Sequence, residues 1–184
     1  MNLSPPPRPR TYWLTGLSGA GKTTIARRFS AILAKSAIPL MILDGDKMRQ
    51  GLCRDLGFTE ADRSENTRRI AEVARLLNSQ GMHVICASIS PLQKDRTCAK
   101  NILDGFDFFE VFVSTPITTC AARDTKGLYA RARSGELKGL TGIDAPYEEP
   151  ECPDLNFNTE ILSLDEILAS LTDHFTSKLT SKCS

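Results

Sequence analysis

The chain has 184 residues, the size of one domain on the usual scale of roughly 100–200 residues. Its 23 Lys+Arg stand against 22 Asp+Glu, a formal net charge of +1, so it carries no overall basic footprint for nucleic acid. An apolar fraction of 41% with 24% charged residues supports a globular core and excludes disorder throughout.

The N-terminus, MNLSPPPRPR, has no apolar h-region, so no secretory signal is expected and residues 1–10 read as a flexible tail. Its proline spacing also fits a PxxP ligand, a weaker reading. No run reaches the ~18 apolar residues of a membrane span, which predicts no membrane partner and a cytoplasmic protein. The six cysteines form no C-x-x-C pair, and His83 and His174 are the only histidines, so no disulfide framework or histidine metal site is expected.

Residues 11–184 read as a single domain. Tyr12–Thr15 is a short apolar strand, and Lys22–Lys35 is a helix with Ile25, Ala26, Phe29, Ile32 and Leu33 on one stripe. Leu40–Leu43 predicts a second strand closed by Asp44-Gly45-Asp46. Thr59 with Asp62 starts a helix that carries Ile70, Val73, Ala74 and Leu77 and stops at Gly81. Val84–Ile89 is a third strand, Pro91 precedes a polar helix to about Leu103, Phe108–Val113 is a fourth strand, and Pro116 opens a helix to about Arg123. From Asp124 to Pro153 the periodicity collapses, and so long a loop in a compact domain predicts a mobile lid. Leu155–Phe157 is a last short strand, and Ser163 with Glu166 caps a closing helix. Strands alternating with helices predict an α/β fold, a parallel sheet covered by helices on both faces.

Gly16-Leu17-Ser18-Gly19-Ala20-Gly21-Lys22-Thr23 fits G-x-x-x-x-G-K-[ST], placed between a strand and a helix. Such a loop curls backbone N–H groups around phosphate oxygens at a helix N-terminus. Lys22 would reach the β- and γ-phosphates of ATP, and the Thr23 hydroxyl would ligate Mg²⁺. No Asn-Lys pair exists to read guanine, which favours a P-loop kinase over a GTPase. Phosphoryl transfer then needs carboxylates at a strand end, arginines at the acceptor and a cover against water.

Asp44 and Asp46 follow the second strand, where ligands sit in open α/β sheets. One would orient the acceptor hydroxyl and the other would support Mg²⁺; Asp46 is the better candidate for the acceptor. Arg63 and Asn66 share a helix face, and Arg49 follows Asp46 by three residues. Guanidinium forks suit a multiply charged acceptor. Arg68, Arg69 and Arg75 read instead as a solvated face. Phe58, between Gly57 and Thr59, is either a core plug or a stacking surface for a base.

The segments GLSGAGKTT, LDGDKMRQGL, RDLGFTEADRSENTRRI, ISP, EVFV, RDTKGLYARAR and GLTGIDAPYEEP, in this order, resemble the adenylylsulfate kinases. The resemblance implies transfer of the γ-phosphoryl of ATP to the 3′-hydroxyl of adenosine 5′-phosphosulfate. It extends the ATP site from Gly16–Thr23 to Thr24 and Arg123. It assigns Asp46, Arg49, Phe58, Arg63, Asn66, Ile89, Ser90, Lys126, Gly139 and Leu140 to the acceptor, and a homodimer as the assembly. Some members are assigned a phosphoserine at the position of Ser90; direct in-line transfer needs none, so hydrogen bonding is the role expected of it.

Four positions depart from the family pattern: Lys47, Thr125, Cys152 and, most consequentially, Leu140, where a second phenylalanine usually encloses the acceptor adenine. An aromatic pair adds about 0.5–1.5 kcal/mol beyond area burial. Leu140 therefore predicts weaker acceptor binding, by at most about tenfold, or substrate inhibition. Two rival readings are a kinase of the same build for another nucleotide-like acceptor, such as a nucleoside diphosphate derivative, and a non-catalytic nucleotide-binding module. Intact Lys22, Thr23, Asp44 and Asp46 argue against the second.

Overall fold

The computed structural model describes residues 8–180; the proline-rich stretch through residue 7 and Cys183 lie outside it. Five strands, β1 (Arg10–Thr15), β2 (Leu40–Asp44), β3 (His83–Ala87), β4 (Asp107–Phe112) and β5 (Leu155–Asn156), form one parallel sheet in the order β2-β3-β1-β4-β5. Helices α1 (Lys22–Ala34), α2 (Gly45–Gln50), α3 (Glu60–Ser79), α4 (Gln93–Ile102), α5 (Ile117–Arg123), α6 (Leu128–Arg133) and α7 (Leu164–Thr180) connect and cover them.

Period-two alternation along β1 sends Tyr12 and Leu14 to one face and Trp13 to the other. The first face buries Ile85, Phe109 and Val111 against Ile25 and Phe29 of α1 and Ile167, Leu171 and Phe175 of α7. The second packs Trp13, Val84 and Cys86 on Ile70 and Ala74 of α3 and Ala99 of α4. Both faces are covered, which is why the central strands read as continuous apolar runs. Among the described residues, no helix is long and apolar enough to cross a membrane.

The helix starts follow the expected local chemistry. Thr59 and Asp62 form a complete capping box on α3, and Ser163 and Glu166 exchange the same bonds before α7. Arg68 and Arg69 are absorbed by Glu65, whose carboxyl their hydrogen bonds pull down to about 2, and Arg75 pairs with Glu72.

Besides α2, which is not expected from the sequence, and β3, which ends at Ala87 short of the expected Ile89, two expected boundaries differ in ways that bear on the site. The tail expected through residue 10 ends sooner: Arg10 opens β1 and is buried, donating to the Phe175 carbonyl and stacking 5.2 Å from the Phe175 ring. An arginine at a strand start reads as punctuation until the closing helix supplies its partner. The segment 124–153 contains α6, whose Tyr129 is buried with its hydroxyl donating to the Ser18 carbonyl at 2.9 Å. Six helical residues are too few to show periodicity in a window of 11–18. Further along, Leu140 joins the core, and the Tyr147 hydroxyl meets Thr15 Oγ1 at 2.9 Å. This cover is thus pinned to the body at several points.

Candidate active site

Asp44 pairs with Ala87 and Leu14 with Ala87 in the sheet register, so β1, β2 and β3 end at one edge. The segments that follow them, together with the cover, enclose a cavity of about 1030 Å³. Of the phosphate-loop residues, Ser18, Gly19, Gly21, Lys22, Thr23 and Thr24 line it. Gly16, Leu17 and Ala20 shape the loop from behind: Ala20 is buried in the core and Leu17 packs under Gly142. Gly16 holds φ 142°, and a Cβ there would come within 2.5 Å of the Val113 carbonyl oxygen, so a side chain is excluded.

Lys22 opens α1 and is buried. Its Nζ donates to the carbonyls of Gly16 and Leu17, both at 2.7 Å. Burial, and then the charge of Lys126, lower its pKa to about 8. The Thr23 hydroxyl donates to Asp44 Oδ2 at 2.8 Å. Asp44 Oδ1 accepts from the N–H groups of Asp46 (3.0 Å) and Lys47 (3.4 Å), capping α2. The two carboxylates left open by the sequence are therefore in different settings. Asp44 is buried beside Thr23, whereas Asp46 is exposed and ion-paired with Lys126. Thr23 and Asp44 present hard oxygen donors side by side, a set that fits a divalent cation such as Mg²⁺.

At the other end, Phe58 is 64% exposed, so it is not a core plug. The guanidinium carbons of Arg49 and Arg63 lie 4.7 and 5.7 Å from its ring centroid. Arg49 donates to the Gly57 carbonyl (2.7 Å), and Arg63 to those of Phe58 (3.0 Å) and Gly139 (2.7 Å). Burial, and for Arg63 also the neighbouring Arg49, pull both guanidinium pKa values down. Asn66 is buried in the cavity wall, and its Oδ1 has no partner. Leu140 also lines the cavity, only 6% exposed, offering the apolar face expected of it.

Ile89 and Ser90 line the cavity from the turn after β3. Ser90 takes φ 43° and is buried; its Oγ accepts from Trp13 Nε1 at 3.1 Å, and its carbonyl accepts from Arg96 Nη1 at 2.9 Å. Arg123 lines the cavity near the phosphate loop and clamps Thr159, donating to its Oγ1 (2.7 Å) and its carbonyl (2.9 Å).

All the residues expected at the acceptor face this one cavity. Sequence reasoning missed Thr141, Thr159, Tyr129 and Arg96. Thr141 is buried in the cavity wall with Oγ1 unpartnered, and its adjacency to Leu140 was the available signal. Thr159, Tyr129 and Arg96 act across 36 residues or more, or through the interior, and carry no local mark.

Comparison with known proteins agrees with this arrangement. The family model of adenylylsulphate kinase matches residues 8–158. An adenylyl-sulfate kinase of Pseudomonas entomophila (strain L48) is 48% identical, over 93% of this chain and 82% of that one. The bifunctional enzyme NodQ of Rhizobium sp. (strain N33) is 52% identical over 89% of this chain, which spans only 25% of that larger protein. The Mycobacterium tuberculosis APS kinase CysC, solved in complex with AMPPNP and APS, superposes with a TM-score of 0.90 at 46% identity, covering 93% of this chain and 99% of that one. The family match over residues 8–158, together with relatives nearly half identical along most of the chain, shows that the chain belongs to the adenylylsulphate kinase family.

Proposed function

We propose that this chain transfers the γ-phosphoryl of ATP to the 3′-hydroxyl of adenosine 5′-phosphosulfate, giving 3′-phosphoadenosine 5′-phosphosulfate and ADP. The observation that carries this reading is the union, in one cavity, of a phosphate loop with an exposed Phe58 flanked by two guanidinium groups. A purine can stack on the ring while its phosphosulfate meets the guanidinium groups.

The geometry and the family resemblance together support the following residue roles. Lys22 turns from the loop carbonyls to the β- and γ-phosphates when the nucleotide enters, and Arg123 with Thr159 forms the wall beside the ATP base. Thr23 and Asp44 would hold Mg²⁺, which would supply charge neutralisation at the phosphates. Asp46 orients the acceptor hydroxyl. Lys126 leaves its pairing with Asp46 to meet the anionic groups at the reacting end. Asn66 and Thr141 direct their unpartnered atoms to the acceptor, and Arg49 and Arg63 hold its charge. Ser90 shapes the pocket floor through hydrogen bonds, because its buried hydroxyl is already engaged by Trp13. The family resemblance further suggests a homodimer in the cytoplasm, a state that sedimentation would read directly.

The test is turnover with ATP and Mg²⁺ on adenosine 5′-phosphosulfate, AMP, CDP and other nucleoside diphosphate derivatives. A kcat/KM at least a hundredfold higher for the phosphosulfate is expected. Comparable turnover on another nucleotide would move the acceptor assignment and leave the P-loop chemistry standing.

A further inference from the structure

Lys126 sits in the loop between α5 and α6, which contains Asp124, Thr125, Lys126 and Gly127 and no proline to fix its shape. What fixes it is Asp124. Its backbone is left-handed, φ 27° and ψ 48°, a conformation that non-glycine residues rarely adopt and that Asn and Asp tolerate best. Its carbonyl accepts from Gly127 N at 2.9 Å, closing the turn around Lys126. Its carboxylate reaches past the turn to accept from the N–H groups of Tyr129 (3.1 Å) and Ala130 (2.9 Å). The formal N-cap of α6 is Gly127, which has no side chain, so Asp124 supplies the capping oxygens. These amide bonds, Ala130 first, hold the carboxyl below the usual aspartate range.

Both ends of this loop are anchored. On one side Arg123 grips Thr159; on the other the Tyr129 hydroxyl is bonded to Ser18 in the phosphate loop. Between these anchors Lys126 reaches over the cavity, where its ammonium pairs with Asp46. Asp124 is half-buried, and its side chain is committed to the backbone of α6.

We infer that Asp124 is a positioning residue for Lys126: its left-handed backbone and its cap on α6 set the loop that delivers the lysine to the reacting end of the cavity. This rests on the reading of Lys126 given above.

A double-mutant cycle tests it, with kcat and KM measured for both substrates and Tm recorded for each variant. Asp124→Ala loses both the favoured left-handed backbone and the cap; kcat/KM for the acceptor should fall roughly tenfold or more. In the Lys126→Ala background the same change should cost no more than about threefold, because the group being positioned is gone. Asp124→Asn keeps an acceptor oxygen and tolerates φ above zero, so it should stay within about threefold of the parent. Asp124→Gly keeps the backbone freedom without the cap and should fall between the parent and Asp124→Ala. Additive losses for Asp124→Ala and Lys126→Ala would overturn the inference and leave the Lys126 reading intact, as would an Asp124→Ala enzyme of full activity beside an impaired Lys126→Ala. A Lys126→Ala enzyme with full activity would overturn both.

Discussion

The two ends of the cavity are built differently. The phosphate-loop end is self-satisfied: Lys22 is bonded to loop carbonyls, Thr23 to Asp44, and Asp44 to the start of α2. The opposite end is only partly satisfied: Arg49 and Arg63 are bonded to the carbonyls of Gly57, Phe58 and Gly139, but other polar atoms are left open. Asn66 Oδ1 and Thr141 Oγ1 are buried without partners, and Phe58 is largely exposed. A group whose bonds are filled must exchange them on binding, whereas an orphaned buried group gains its first. On the proposed reading the first end would accept a triphosphate that displaces the internal contacts, and the second would set acceptor selectivity.

Removing Lys22 should break the phosphate end most severely. Lys22→Met should cut kcat roughly 10²–10³-fold, the usual loss for one preorganised group on developing charge. Steady-state turnover reads the loss, and an unchanged Tm shows that the fold is intact. Arg63→Ala acts on the other end only. A hydrogen bond from a charged group carries about 1.5–3 kcal/mol, so the acceptor KM should rise roughly ten- to a hundredfold with the ATP KM unchanged. An effect confined to ATP would contradict the division between the two ends.

pH separates them further. Lys22 has a pKa of about 8, chiefly through burial. Phosphates bind its protonated form, so ATP affinity should be flat below pH 8 and fall toward tenfold per unit above it. Stability should move the other way. Above pH 8 the unfolded chain, with an ordinary lysine pKa near 10.4, binds more protons than the folded one, so this lysine's contribution rises with pH through that window. Calorimetric titration and thermal melts across pH 7–10 read the two opposite slopes.

The smallest effect concerns Leu140. Leu140→Phe should tighten the acceptor KM by up to about tenfold. Because Leu140 is buried among core residues, the larger ring should also cost about 1–3 kcal/mol of stability, seen as a lower Tm.

The same contrast governs what was legible in the sequence. The phosphate loop is a run of consecutive residues whose chemistry depends on their own backbone, so it can be read locally. The strands and long helices are legible for the same reason, through alternation, stripes and the Thr59 and Ser163 caps. The acceptor end is assembled from α2, α3, the turn after β3 and the cover, so spacing and charge brought forward Arg49, Arg63 and Asn66, and only the family resemblance added Ser90 and Lys126. What escaped depends on distant partners. Arg10 is a strand residue because Phe175 and His83 receive it, Tyr129 matters because Ser18 lies above it, and Arg96 holds Ser90 from inside the protein. Asp124 illustrates the limit best: its left-handed backbone is invisible in a segment read only as aperiodic.

The most direct measurement is the position of the new phosphate. The protein is incubated with ATP, Mg²⁺ and adenosine 5′-phosphosulfate, and the products are resolved by mass and by phosphorus NMR. The expected result is one phosphomonoester on the 3′-carbon, formed one for one with ADP and with the phosphosulfate intact. ADP released without a phosphorylated acceptor, or a phosphate at any other position, would contradict the account.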